Sequence, residues 1–215
     1  MNLSRSRACA GLGAALAVTA AGTAYATPPS TAQGHPAHQA PADACGYTPT
    51  KAFSAFHDNK SYVPTQNGGF EDGDAGWTLA GGASVVEGNE TFALGGSGDH
   101  QSLTLPAGSS ATSPANCVSN HDGIFRAFAR TTGDSSARLK VEVLYLDGEG
   151  KKQSRVAGKL RAGDTWQPTK RLAVALGRAK GHGKMSVAHV SFRFTPVGAG
   201  DWQIDDLYLD PRARG

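Results

Sequence analysis

The chain predicts an all-β fold, an antiparallel β-sandwich of the jelly-roll kind, and three observations carry that expectation. Apolar and polar residues alternate in short runs across the second half of the chain, the period of a strand with one buried face. Glycine, 28 of 215 residues, recurs at turn-like intervals between those runs, which fits many short strands. No amphipathic helical pattern links them, and a parallel α/β sheet would need such crossovers.

Taken in order, residues 1–26 read as an export signal. Arg5 and Arg7 precede an alanine-rich apolar run from Ala8 to Ala20, and Ala24-Tyr25-Ala26 is a small-x-small cleavage site. The apolar run is too short to span a bilayer. Cys9 lacks the leucine-type box of a lipoprotein signal, which argues against a lipid anchor. Removing Arg5 and Arg7 with the signal takes the formal net charge from +3 to +1. No basic tract remains to argue for nucleic acid. The expected location is extracellular.

Residues 27–44 are rich in Pro, Ala, Ser, Gln and Gly and lack periodicity, as expected of a disordered linker. His35 and His38 there read as part of a solvated tail rather than a metal site. A single domain is expected over 45–211, with a tail at 212–215. After cleavage two cysteines remain, Cys45 and Cys117, which in an exported protein read as one disulfide. Its loop is long enough to stabilise the fold by about 4 kcal/mol on the chain-entropy model. A metal or redox pair is the alternative, without the C-x-x-C spacing that favours it.

Asn67 to Trp77 reads as a strand entering a tight glycine turn, with a second strand opening on the tryptophan. Short strands follow at Ser84–Glu87 and Gln101–Leu105. Ile124–Thr131 is a core strand with Arg126 and Arg130 on one face. Arg138–Leu146 buries Leu139, Val141, Val143 and Tyr145 and exposes Lys140 and Glu142, until Leu144 and Leu146 break the alternation. Asp147-Gly148-Glu149-Gly150 then turns the chain. Trp166–Val174 is a further strand that Pro168 confines in part to an edge, with a short helix over Leu172–Ala179 as the weaker reading. Val187–Phe194 buries Ala188, Val190, Phe192 and Phe194, leaving His189 and Arg193 opposite. Asp201–Asp210 closes the domain beside the first strand. Its apolar phase changes at Asp205-Asp206, from Trp202 and Ile204 to Leu207 and Leu209, as a β-bulge would produce.

Gly68-Gly69-Phe70-Glu71, followed by Gly76-Trp77 and closed by Trp202-Gln-Ile-Asp-Asp-Leu-Tyr-Leu209, resembles the galactose-binding-like jelly rolls. These include many bacterial carbohydrate-binding modules. The likeness spans about Tyr62 to Asp210. The chain also resembles a group of secreted actinobacterial proteins that share Gly-Trp-Thr-Leu, Ala-Thr-Ser-Pro, Arg-Phe-Thr-Pro and Trp-Gln-Ile-Asp-Asp. The resemblance implies a structural calcium ion, Ca2+, where first and last strands meet, with Glu71 and Asp205 or Asp206 as ligands. Calcium takes six to eight oxygens from carboxylates and carbonyls. Adjacent strand residues face opposite sides, so both aspartates can serve only if a bulge intervenes. Otherwise Glu71, Asp72 and Asp74 are solvated turn residues, and the two aspartates cap backbone groups.

A sugar site needs an aromatic platform and a few placed polar groups. Trp166, at a turn-to-strand junction, is the candidate platform, whereas Trp77 and Trp202 read as core. Arg126, Glu142, His189 and Arg193, with Arg130 and Lys140, offer a charged sheet face for ligand binding if their strands are neighbours; an ordinary solvated face is the plainer reading. Catalytic motifs are absent: no Gly-x-Ser-x-Gly, no His-Glu-x-x-His, no phosphate loop. A glycosidase pair, Glu71 with an aspartate or Glu87 with Glu90, is the minor alternative. The expectation is a monomeric, secreted, non-catalytic module that binds carbohydrate, with a structural, adhesion or protein-binding jelly roll as the alternative.

Overall fold

The computed structural model describes residues 45–119, 123–176 and 187–210. The export signal, the linker with His35 and His38, His121-Asp122, Gly177 and the tail lie outside the described residues.

Thirteen strands are described, and every pairing between them is antiparallel. In chain order they are β1 (Val63–Pro64), β2 (Thr78–Ala80), β3 (Ser84–Glu87), β4 (Gln101–Leu105), β5 (Ser110–Thr112), β6 (Asn116–Ser119) and β7 (Gly123–Thr132). They continue with β8 (Arg138–Leu146), β9 (Lys152–Leu160), β10 (Gln167–Pro168), β11 (Leu172–Val174), β12 (Val187–Val197) and β13 (Asp201–Asp210). One sheet runs β10-β7-β13-β4-β3, with β1 on β13 and β11 on β7; the other runs β2-β5-β12-β8-β9, with β6 on β12. The first and last strands meet, Val63 opposite Leu209. This is the two-sheet antiparallel jelly-roll sandwich that the alternation predicts.

The core lies between the sheets. Leu139, Val141 and Val143 of β8 and Val190, Phe192 and Phe194 of β12 face Phe125, Ala127 and Ala129 of β7 and Trp202 and Ile204 of β13. Phe125 meets Phe192 at 4.8 Å between ring centroids, and Trp77 lies between Phe70 and Phe194. Burying side chains of this size contributes about 1.5–3 kcal/mol each, which holds the sheets face to face. Trp77 keeps its indole N–H satisfied by donating to the Asn67 carbonyl at 3.0 Å.

Thr65 to Trp77 is a run of turns, rather than the strand expected at its start. Gly68 permits its close approach to β13: a Cβ there would lie 2.3 Å from Thr65 Oγ1 and 2.9 Å from the Leu207 carbonyl. Cys45 and Cys117 are joined in a disulfide across 72 positions, with Cα atoms 5.8 Å apart. Trp166–Val174 is two strands, both paired with β7, interrupted by Thr169–Arg171. Leu172–Val174 is strand, not helix.

A feature absent from the strand pattern covers the outer face of the seven-stranded sheet. The segment 51–62 crosses it, with a short 3-10 turn at Ser54–Phe56. It forms a second apolar cluster from Phe53, Tyr62, Phe128, Trp166 and Tyr208. Phe53 stacks on Phe128 at 5.6 Å and meets Tyr62 and Tyr208 edge-on.

Candidate functional site

Two places bring functional side chains together. The first lies at the β13 bulge. Asp205 pairs with Phe128, but Tyr208 pairs with Arg126, so β13 carries one residue more than β7 across this interval. Asp206 takes a left-handed φ of 47° to absorb it. The extra residue lets both aspartates be buried, at 0% and 5% exposure. Their roles then divide. Asp205 is a scaffold: Oδ2 accepts from the Glu90 amide at 2.9 Å and Oδ1 from the Asp206 amide at 2.7 Å. Asp206 joins Glu90 and Asp99, whose carboxylate oxygens lie within 4.8 Å of one another.

Glu90 and Asp99 are delivered by the long β3–β4 connection. Glu90 accepts from the amides of Phe92 and Leu94, the latter at 2.7 Å, which locks the loop around its carboxylate. Both oxygens of Asp99 and Oδ2 of Asp206 are buried and make no well-formed hydrogen bond, although the Asn89 side chain and the Gly95 amide lie close to Asp99. A Cβ at Gly95 would lie 2.8 Å from Asp99 Cγ, so only glycine lets the loop backbone come this close.

Burial raises the Asp205 carboxyl to about 9, helped by Asp206 and Asp99. Burial raises Asp206 to about 7, helped by Asp99 and Glu90. Asp99 is also pushed up, by burial first and by Glu71 in addition. Three carboxylates crowded in low dielectric, with three oxygens of the two aspartates lacking a well-formed hydrogen bond, are a donor set suited to a hard divalent cation. An O···O spread of up to 4.8 Å fits oxygens on opposite sides of calcium, twice a bond of about 2.4 Å. The residues present therefore fit the ion.

Of the expected ligands, only Asp206 belongs to this trio. Glu71 is exposed and its Oε1 accepts from the amides of His100 and Gln101, both at 2.8 Å, which ties the glycine turn to the start of β4. Sequence reasoning placed Glu90 in a different pair and did not single out Asp99. Their only signal is an acid-containing loop between two short strands.

The second place is the outer face of the six-stranded sheet. There β12 presents His189, Ser191 and Arg193, β8 presents Glu142 and Leu144, and β9 presents Ser154. The register sets Ser191 beside Leu144, Leu144 beside Ser154 and Arg193 beside both Glu142 and Thr112. Glu142 is the hub of this face. It accepts from Arg193 Nε at 3.0 Å and from Ser154 Oγ at 3.3 Å, and Lys140 Nζ lies 3.1 Å away. The Arg193 hydrogen bond, then Lys140, outweighs burial and holds the Glu142 carboxyl below its usual range. Arg193 remains 39% exposed at its side chain, so its guanidinium still faces solvent. A depression of about 550 Å3 opens here, with Leu144, Tyr145 and Leu146 beside Ser154, His189 and Arg193. Leu146 is 58% exposed, an outlay of apolar surface that core packing does not require. The break in alternation at Leu144 and Leu146 was the sequence signal for it.

Glu142, His189 and Arg193 thus share one face, but Arg126 and Trp166 do not join them. Arg126 is on β7 in the other sheet, 8% exposed and paired with Asp58 at 2.7 Å. Trp166 is 5% exposed, packed in the second apolar cluster with the Arg130 guanidinium 5.1 Å over its ring. It offers no platform to a ligand. The covering segment 51–62 buries both residues, and nothing in the alternation of β7 announces that cover.

No protein-family model and no curated protein matches the chain. Solved structures do resemble it. One is the CBM22-1–GH10 part of a Clostridium thermocellum xylanase, Xyn10B, with xylohexaose: 15% identity, TM-score 0.49, 71% of this chain and 28% of that one. Another is the CBM22-1 xylan-binding domain of Paenibacillus barcinonensis Xyn10C: 16% identity, TM-score 0.41, 62% of this chain and 84% of that one. A third is TmCBM61 with β-1,4-galactotriose: 16% identity, TM-score 0.41, 68% and 97%. The chain thus spans little more than a quarter of the xylanase structure. At these identities and scores the functional reading rests on the geometry of the chain itself.

Proposed function

We propose that this protein is an exported, non-catalytic carbohydrate-binding module whose site is the depression on the six-stranded sheet. The observation that carries the reading is the pairing of outward apolar side chains, Leu144 and Leu146, with Ser154, His189, Ser191 and Arg193 around one hollow. A sugar presents the same two characters: ring C–H surfaces for the leucines and hydroxyls for the polar rim. Glu142 holds Arg193 by its Nε, so the donor is pre-organised before ligand arrives. The similar structures include a xylan-binding domain and a module in complex with β-1,4-galactotriose, in keeping with this reading. Calcium in the Glu90–Asp99–Asp206 trio has a structural part in it: the ion fastens the β3–β4 loop to β13.

The test is binding of the mature protein to a glycan array and to insoluble polysaccharides. Saturable binding to a defined sugar is expected. Ser191→Trp, which fills the hollow, abolishes it, and Arg193→Gln weakens it about tenfold or more, the loss expected of a charge-assisted hydrogen bond. Absence of binding, or binding indifferent to both substitutions, refutes the site and leaves a structural or protein-binding jelly roll.

A further inference from the structure

A second pocket, of about 300 Å3, lies on the outer face of the opposite, seven-stranded sheet. Its walls are Phe56, His57, Asp58, Arg126, Lys170 and Arg171. Arg126 is fixed there from three sides. Its Nε donates to the Thr169 carbonyl at 2.9 Å, Nη1 donates to Asp58 Oδ2 at 2.7 Å, and the Phe53 ring lies 4.4 Å from its guanidinium carbon. Asp58 is itself spoken for, accepting from the Tyr62 hydroxyl at 2.7 Å and the Lys60 amide at 3.2 Å.

The charge balance of the pocket is positive. Asp58 is the one carboxylate in its walls and offsets Arg126. Lys170 and Arg171 add two exposed cations that form no ion pair with a described residue. A pre-positioned, nine-tenths-buried guanidinium with two free cations beside it is the arrangement that receives an anionic group.

The pocket is continuous with an aromatic surface. Phe56, in its wall, meets Phe92 edge-on at 4.8 Å, and Phe92 packs on Phe128 at 5.3 Å. Phe92 is nonetheless 42% exposed. Its backbone is held, because Glu90 accepts from the Phe92 and Leu94 amides. An exposed phenyl ring on a fixed loop, one ring away from a cationic hollow, presents a flat apolar face and a charge receptor side by side.

We propose that this is a second binding site, for an anionic saccharide: the sugar ring lies against Phe92 and Phe56, and its acid group enters the pocket toward Arg126, Lys170 and Arg171. The site is on a different sheet from the depression of Ser191 and Arg193, and stands or falls independently of it.

The experiment is calorimetric titration of the full mature chain at 150 mM salt with three probes of different acid group: oligogalacturonate, sulfated dextran oligosaccharides and phosphorylated oligomannose. Xylohexaose serves as the neutral control. At least one anionic probe is expected to bind saturably, and which one binds identifies the acid group. Lys170→Gln with Arg171→Gln weakens it tenfold or more, Phe92→Ala about fivefold, and Ser191→Trp not at all. All of the altered side chains at this pocket are exposed, and an unchanged Tm verifies the fold. No binding of any anionic probe overturns the proposal. So does binding that survives the double substitution, or binding that falls with it yet ignores Phe92→Ala, which is unspecific attraction.

Discussion

Asp206→Asn separates the two states of the carboxylate trio, because it acts on them in opposite directions. Without an ion, the fold buries Asp206 beside Glu90 and Asp99 with Oδ2 unpaired. Neutralising it removes a charge the interior resists, and asparagine accepts the left-handed φ of 47° at this position. The variant in chelator is therefore as stable as the parent or more so. With calcium the order reverses. An ion at 100 times its Kd adds about 2.7 kcal/mol to the parent, which at this domain size is a rise in Tm of roughly 5–10 °C. The variant has lost one of three carboxylate ligands and gains little. Protons compete for the same oxygens, so the calcium increment shrinks as pH falls below about 7, where Asp206 takes up its proton. The assay is differential scanning calorimetry of decalcified protein, with and without calcium, at pH 6 and 8. A parent Tm that ignores calcium, or a variant that still gains the full increment, refutes the assignment.

Two further outcomes follow from other parts of the fold. Reducing Cys45–Cys117, which closes a loop of 72 positions, is expected to cost about 4 kcal/mol and lower Tm by roughly 10 °C, with thiol titration of the native protein finding no free cysteine. Asp58 governs part of the acid limb. Burial alone would raise its carboxyl, but the Tyr62 hydroxyl, the Lys60 amide and Arg126 together hold it below the ordinary 3.8. A lowered folded pKa means stability that is complete above about pH 4 and is lost as pH falls through the folded value. Asp58→Asn strands Arg126, so the variant loses about 3 kcal/mol or more at pH 7 and shows a shallower decline in urea midpoint between pH 4 and pH 2. Equal acid limbs in the two proteins contradict the pairing.

How far the sequence discloses this molecule depends on whether a residue's neighbours are near in register or only in space. The strands β3, β4 and β8 begin and end where the sequence pattern places them, because period two is a local property of a half-buried strand. The bulge at Asp205-Asp206 was visible as a phase change for the same reason. The edge strand β9 escaped notice: Lys152 to Val156 is exposed almost continuously, so it has no buried face to write into the pattern. The carboxylate trio shows in the sequence only through Asp206, since Glu90 and Asp99 reach it through the β3–β4 loop and loops carry no period. Trp166 misled because its cover, Phe53 and Tyr62, comes from more than a hundred positions earlier. The charged residues come together only in part: strand alternation told which side Arg126 points to, but not which sheet β7 joins.

The disulfide bears on how the molecule withstands a pull. Tension on the chain ahead of Cys45 does not have to travel through the segment that crosses the seven-stranded sheet. The covalent link delivers it to Cys117 in β6, which is laced to β12 opposite His189. The stretch from Gly46 to Asn116 is a closed loop off that load path. It contains the Lys51–Tyr62 cover, the Glu90 and Asp99 loop and Phe92. A tethered copy straining against its anchorage would thus keep Glu90, Asp99 and Phe92 off the load path, while Asp206 in β13 stays on it and bears the pull.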